Sequence, residues 1–157
     1  LALHRAGSMD FQVTAWEWVS RGATWDVAAT RITDRMPVPQ VGYFADRPVA
    51  LYFYDGAECL RSHSENPLAH KRPRGYSCEE IGGAFWGSRD ALSGLERLSL
   101  LAPMFVSPWG TGCSRYVSTC VTEQGILATW QQAQADGSQP LVGHWLSMDE
   151  IVKILGT

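Results

Sequence analysis

No window of this 157-residue chain approaches the roughly eighteen uninterrupted apolar residues that a membrane-spanning helix requires. The N-terminus lacks the charged-then-apolar layout of a secretory signal. Charge is sparse at 18%, and a net charge of -3 gives no overall electrostatic reason to bind nucleic acid or an anionic membrane. The four cysteines, Cys59, Cys78, Cys113 and Cys120, are too thinly spread for a small disulfide-stapled scaffold, so reduced thiols in a cytoplasmic protein are expected. The chain also lacks a glycine loop before a phosphate-binding lysine, a dinucleotide fingerprint, paired histidines at helical spacing and a serine in a nucleophile elbow. No common catalytic chemistry is written in its motifs.

What is present is a 45% hydrophobic composition, ordinary for a globular domain, on a chain long enough for one real core. Gly7-Ser8-Met9 reads as a cloning junction, so residues 1–8 are expected to be a vector-derived leader and residues 9–157 a single domain. The stretch 48–54 (PVALYFY) is apolar on both alternating faces and stops at Asp55-Gly56, the signature of a strand buried on both sides. Before it, Phe11, Val13, Ala15 and Val19 alternate with polar residues and tryptophans. Trp25, Val27 and Ala29 repeat the alternation, which predicts a hairpin. Residues 41–45 suggest a further short strand.

Beyond residue 56 the pattern turns helical. Ser77-Cys78-Glu79-Glu80 fits a capping box, though Gly82-Gly83 limits that helix to a turn or two. Ser88-Arg89-Asp90 offers a second start. Ala91, Leu95, Leu98 and Ala102 follow at four, three and four residue steps, predicting an amphipathic helix that Pro103 ends. Residues 115–122 and 126–132 read as a hairpin with Val117, Val121, Ile126, Ala128 and Trp130 available for burial. Residues 141–146 form a short strand, and Ser147-Met148-Asp149-Glu150 caps a terminal helix stopped by Gly156. The expected fold is α+β: a mainly antiparallel sheet, one central amphipathic helix and a short C-terminal helix.

Chemistry concentrates in the loop between Cys59 and Cys78. Cys59, His63, His70 and Cys78 supply two sulfurs and two imidazoles, a set suited to tetrahedral zinc, but intervals of three, six and seven residues match no standard finger. No cofactor is therefore expected, with zinc as the exception. Arg61, Lys71, Arg72 and Arg74, with Tyr76, make a local basic patch suited to phosphates, carboxylates or an acidic partner surface. Cys78 at the first position of a helix capped by Ser77 is the best candidate nucleophile, with His70 as base, or else His63 or His144; adjacent Glu79 and Glu80 oppose its ionisation.

Seven tryptophans are many for this length. Trp16 and Trp18 share a strand face opposite Phe11 and Val13, so two indoles need a covering layer, a ligand or a partner. These features favour a non-enzymatic binding protein that meets a protein or a small anionic ligand with an aromatic surface rimmed by the basic loop. A cysteine-dependent enzyme and a zinc-stabilised module are the alternatives. Oligomeric state is open.

Overall fold

The computed structural model describes residues 1–4, 6–58, 80–110 and 112–156. Its centre is the stretch of alternating aromatics, now strand β4 (Val49–Ala57), which runs on through Asp55-Gly56 instead of turning there. It pairs antiparallel with β3 (Ala29–Pro37) on one side and β5 (Ile81–Ser88) on the other. The two-residue β6 (Glu96–Arg97) completes this four-stranded sheet. A second sheet, β7 (Ser114–Val121), β8 (Gly125–Gln132) and β9 (Leu141–Ser147), is an antiparallel meander. Helix α1 (Met148–Leu155) packs on β8, β9 and a 3₁₀ turn, Gly42–Phe44. A detached two-stranded ribbon joins Ala2–His4 (β1) to Phe11–Val13 (β2).

Alternation along β4 divides the work. Ala50, Tyr52 and Tyr54 are buried on one face with Trp25, Ile81 and Phe85, and Trp18, Val19, Ile32, Leu95 and Val106 pack around them. Among the described residues, loops and not a helix cover this face. The opposite face carries Val49, Leu51 and Phe53, with Asp55 beyond them. Strand β7 crosses the Asp55 end of this face and contacts β3, β4 and β5. Two irregularities aim that contact. A shift between Ile32 and Asp34 returns Asp34 to the face toward β7, where its carboxylate accepts hydrogen bonds from the Thr119 amide at 2.6 Å and from the Thr119 hydroxyl. In β7 the register shifts between Arg115 and Ser118, and Tyr116 adopts φ 58°, presenting its N–H to Asp55 at 3.0 Å.

The expected α+β architecture is therefore wrong: the described chain is mostly β, with three antiparallel sheets and no central helix. Residues 91–102 match a helical period but are captured by long-range partners. Gly94 turns left-handed at φ 70°, and the Leu98 amide bonds to the Ala84 carbonyl of β5 at 2.9 Å. Ser99 is buried, linking the Ala84 amide to the Tyr54 hydroxyl. Arg97 reaches buried Asp26. These contacts outweigh a local preference that Gly94 had already weakened. Ser88 Oγ does accept from the Asp90 amide, at 3.2 Å, but no helix follows.

The helix expected after Ser77 has its cap and start outside the described residues. From Ile81 the chain is a strand, and Gly82 and Gly83 make room: a Cβ on Gly82 would strike the Phe105 ring, and one on Gly83 the Tyr54 ring. The hairpin expected across residues 11–30 is absent too; β2 pairs with β1, and the next strand begins only at Ala29. Residues 42–44 form the 3₁₀ turn where a strand was expected. The hairpin β7–β8, strand β9 and the terminal helix follow the sequence closely. Ser147 Oγ accepts from the Glu150 amide, the Glu150 carboxylate accepts from the Ser147 amide, and Gly156 is the C-cap.

Candidate functional site

Where β7 and β8 lean over the Phe53 side of the first sheet, the two layers do not close. Phe53 comes from β4, Ser114 and Val117 from β7, Ala128, Trp130 and Gln132 from β8, and Phe105 and Val106 from the connecting loop. Together they line a cavity of about 290 Å³ that opens to solvent. Alternation in β8 places Ala128, Trp130 and Gln132 on one face, and the bulge at Tyr116 and Val117 lets β7 curve around the same space. Phe105 is held over Gly82 by backbone hydrogen bonds to that glycine, its ring centroid 6.3 Å from that of Phe53. The walls are apolar and aromatic. Trp130 donates its indole N–H to Gln132 Oε1 at 2.8 Å, so one polar group at the edge is already oriented.

Beside this cavity runs a chain of charge. Arg31 pairs with Asp55 at 2.9 Å and with Glu80 at 2.7 Å, and Arg115 meets Glu80 at 3.1 Å. Both guanidinium groups stack on the Tyr116 ring, at 4.9 and 4.8 Å. Burial pushes the Asp55 carboxyl above its ordinary range, against the opposing pull of the Arg31 hydrogen bond and the Tyr116 amide. A second buried set joins Asp26, Tyr54, Ser99 and Arg97 on the opposite face. The Tyr54 hydroxyl donates to Asp26 Oδ2 at 2.8 Å, and Arg97 pairs with the same oxygen. Burial raises the Tyr54 pKa, so the phenol stays protonated and serves as a donor. Both sets cross-link strands and loops; none of Asp26, Tyr54, Ser99 and Arg97 lines the inter-sheet cavity.

The tryptophan pair expected as a binding surface has a different setting from the one its alternation implied. Phe11 and Val13, taken as the core face, are exposed, Phe11 at 68%. Trp16 is 84% exposed. Trp18 packs edge-on against Tyr52 at 5.7 Å and donates its indole N–H to the Leu92 carbonyl. The two are nonetheless brought together with Glu17, Phe85, Gly94 and Leu95 in the walls of an open cleft of about 480 Å³. Glu17 between them has φ 49°, a left-handed conformation that costs a non-glycine residue about 1 to 2 kcal/mol.

The remaining expected site residues, Cys59, Arg61, His63, His70, Lys71, Arg72, Arg74, Tyr76 and Cys78, lie outside the described residues, and with them the zinc set, the basic loop and the candidate nucleophile. Among the described residues no group of three or more histidine, cysteine and carboxylate side chains is placed to hold a metal. His144 is exposed on β9. No helix among them is long and apolar enough to cross a membrane. Sequence reasoning missed the inter-sheet cavity as a site, although Val117, Ala128 and Trp130 were marked for burial; Phe105, which faces Phe53 across it, carries no periodic signal. Comparison with known protein families, curated proteins and solved structures finds no match for this chain.

Proposed function

We propose that this is a binding protein that takes a small, largely apolar molecule in the cavity between its two larger sheets. The cavity itself carries the reading. Its volume of about 290 Å³ lies at the lower end for small-molecule sites, and its lining follows their pattern of apolar and aromatic walls with few polar groups. Phe53, Phe105 and Trp130 supply broad contact, while Ser114 and Gln132 provide the polar edge. Among the described residues no basic one lines it, so the ligand class differs from the anion suggested by the loop composition.

The test uses 2-naphthol as probe, followed by tryptophan fluorescence. A ligand of this size is expected to bind saturably with a Kd of roughly 0.1 to 1 mM, given typical binding energy per atom. Ala128→Leu projects extra side chain into the cavity. It should keep the thermal midpoint within a few degrees and abolish binding. Unchanged affinity in that variant, or no saturable binding in the parent, rejects this site.

A further inference from the structure

We propose that the cleft walled by Trp16, Glu17 and Trp18 is a second site, built for an organic cation bearing a protonated or methylated ammonium. The argument begins with backbone geometry. In an extended strand the side chain of residue 17 would point away from those of residues 16 and 18. Here the left-handed conformation of Glu17 breaks the alternation, and all three residues line the same cleft. The strained conformation thus puts Glu17 into the same cleft wall as the two tryptophans. An indole face attracts a cation through its quadrupole, and quaternary ammonium groups are the ligands most often recognised this way.

The surroundings favour the same occupant. Among the described residues no lysine or arginine lines the cleft, and besides the three the lining residues are small, polar or apolar. Arg97 stacks on Phe85 at 4.4 Å, but its charge is matched by Asp26. Trp18 is fixed by Tyr52 and by the Leu92 carbonyl, whereas Trp16 leaves most of its surface open. One platform is rigid and the other is available to close on the ligand. A volume of about 480 Å³ accommodates a trimethylammonium group and a short tail. None of these residues lines the inter-sheet cavity, so the two proposals stand or fall separately.

Choline chloride is the probe, with 3,3-dimethyl-1-butanol as its neutral isostere, both read by intrinsic fluorescence of the full chain. Choline should bind saturably and at least about tenfold more tightly than the alcohol. Trp16→Ala, at an exposed position, should keep the thermal midpoint and lose choline binding. Glu17→Gln should weaken it by about fivefold, at low salt most of all. Equal binding of choline and alcohol would reduce the cleft to an apolar surface and overturn the proposal, as would full choline affinity in Trp16→Ala. An ammonium has two sources, a free amine and a methylated lysine of another protein. A trimethyllysine peptide binding more than about tenfold tighter than choline assigns the second, and comparable binding the first.

Discussion

Asp55 sits at 1% exposure on β4, with Arg31 beside it on β3, and the pair makes a pH-dependent contribution whose direction follows from its surroundings. Because burial raises the folded-state pKa of Asp55 above its ordinary value of 3.8, the folded form holds the proton more tightly than the unfolded chain. That stabilising term is present below the unfolded value and is lost as pH rises through the folded one. Arg31 limits the loss by favouring the carboxylate. Removing it in Arg31→Met is expected to cost about 2 kcal/mol at pH 7, because a buried carboxylate loses its charged partner. The deficit should shrink on acidification as Asp55 takes up a proton; urea denaturation at pH 7 and pH 4.5 measures it, and a constant deficit would refute this account. Asp34 and Tyr116 show why single residues were hard to read: their roles depend on strand irregularities that appear only when a second strand is alongside.

Among the elements, α1 was legible in full because its signals are local: a reciprocal capping box, acidic residues in the first turn and a glycine at the end. Its docking was not. Gly42 has φ 53°, and a Cβ there would come 2.1 Å from the Leu155 carbonyl oxygen, so the 3₁₀ turn and the helix end meet backbone to backbone. Gly42→Ala should therefore lower stability by well over the roughly 1 kcal/mol expected from conformational strain alone. Gly137→Ala is the control, since Gly137 shares a positive φ of 83° but has nothing within 4 Å. Equal losses in thermal melts of the two variants would mean that the close approach contributes nothing. The segment 91–102 is the converse case. Its apolar spacing suits a helix, yet Arg97, Leu98 and Ser99 are claimed by Asp26, Ala84 and Tyr54, partners distant in sequence that no local window contains.

Across the whole molecule, the two large sheets are tied at Asp34–Thr119 and Asp55–Tyr116, one polar link on either strand beneath β7. Asp34→Ala leaves the Thr119 amide without its carboxylate and is expected to destabilise by about 1 to 3 kcal/mol. Shared burial between the sheets predicts a single transition in the parent, with far-UV circular dichroism and tryptophan fluorescence giving the same midpoint. In Asp34→Ala both midpoints should fall together. A second sheet that melted first would show that the polar link, and not the apolar contact, unites the layers. The inter-sheet cavity belongs to this scale too, since its walls come from two strands of one sheet, one of the other and a loop.

The amino-acid sequence by itself determined the elements whose signals are local: the central aromatic strand, the β7–β8 hairpin, β9 and the capped terminal helix. Each rests on alternation, a turn dipeptide or a cap within a few residues, and these act wherever the chain is placed. Tertiary structure decided the rest. It drew residues 91–102 out of helical conformation, carried β4 through Asp55-Gly56, left Phe11 and Val13 exposed and gathered Trp16, Glu17 and Trp18 into one cleft. Along 91–102 and at Asp55-Gly56 the deciding partners lie outside any local window, and a hydrogen bond or buried contact to them outweighs a local preference of about 1 kcal/mol or less per residue.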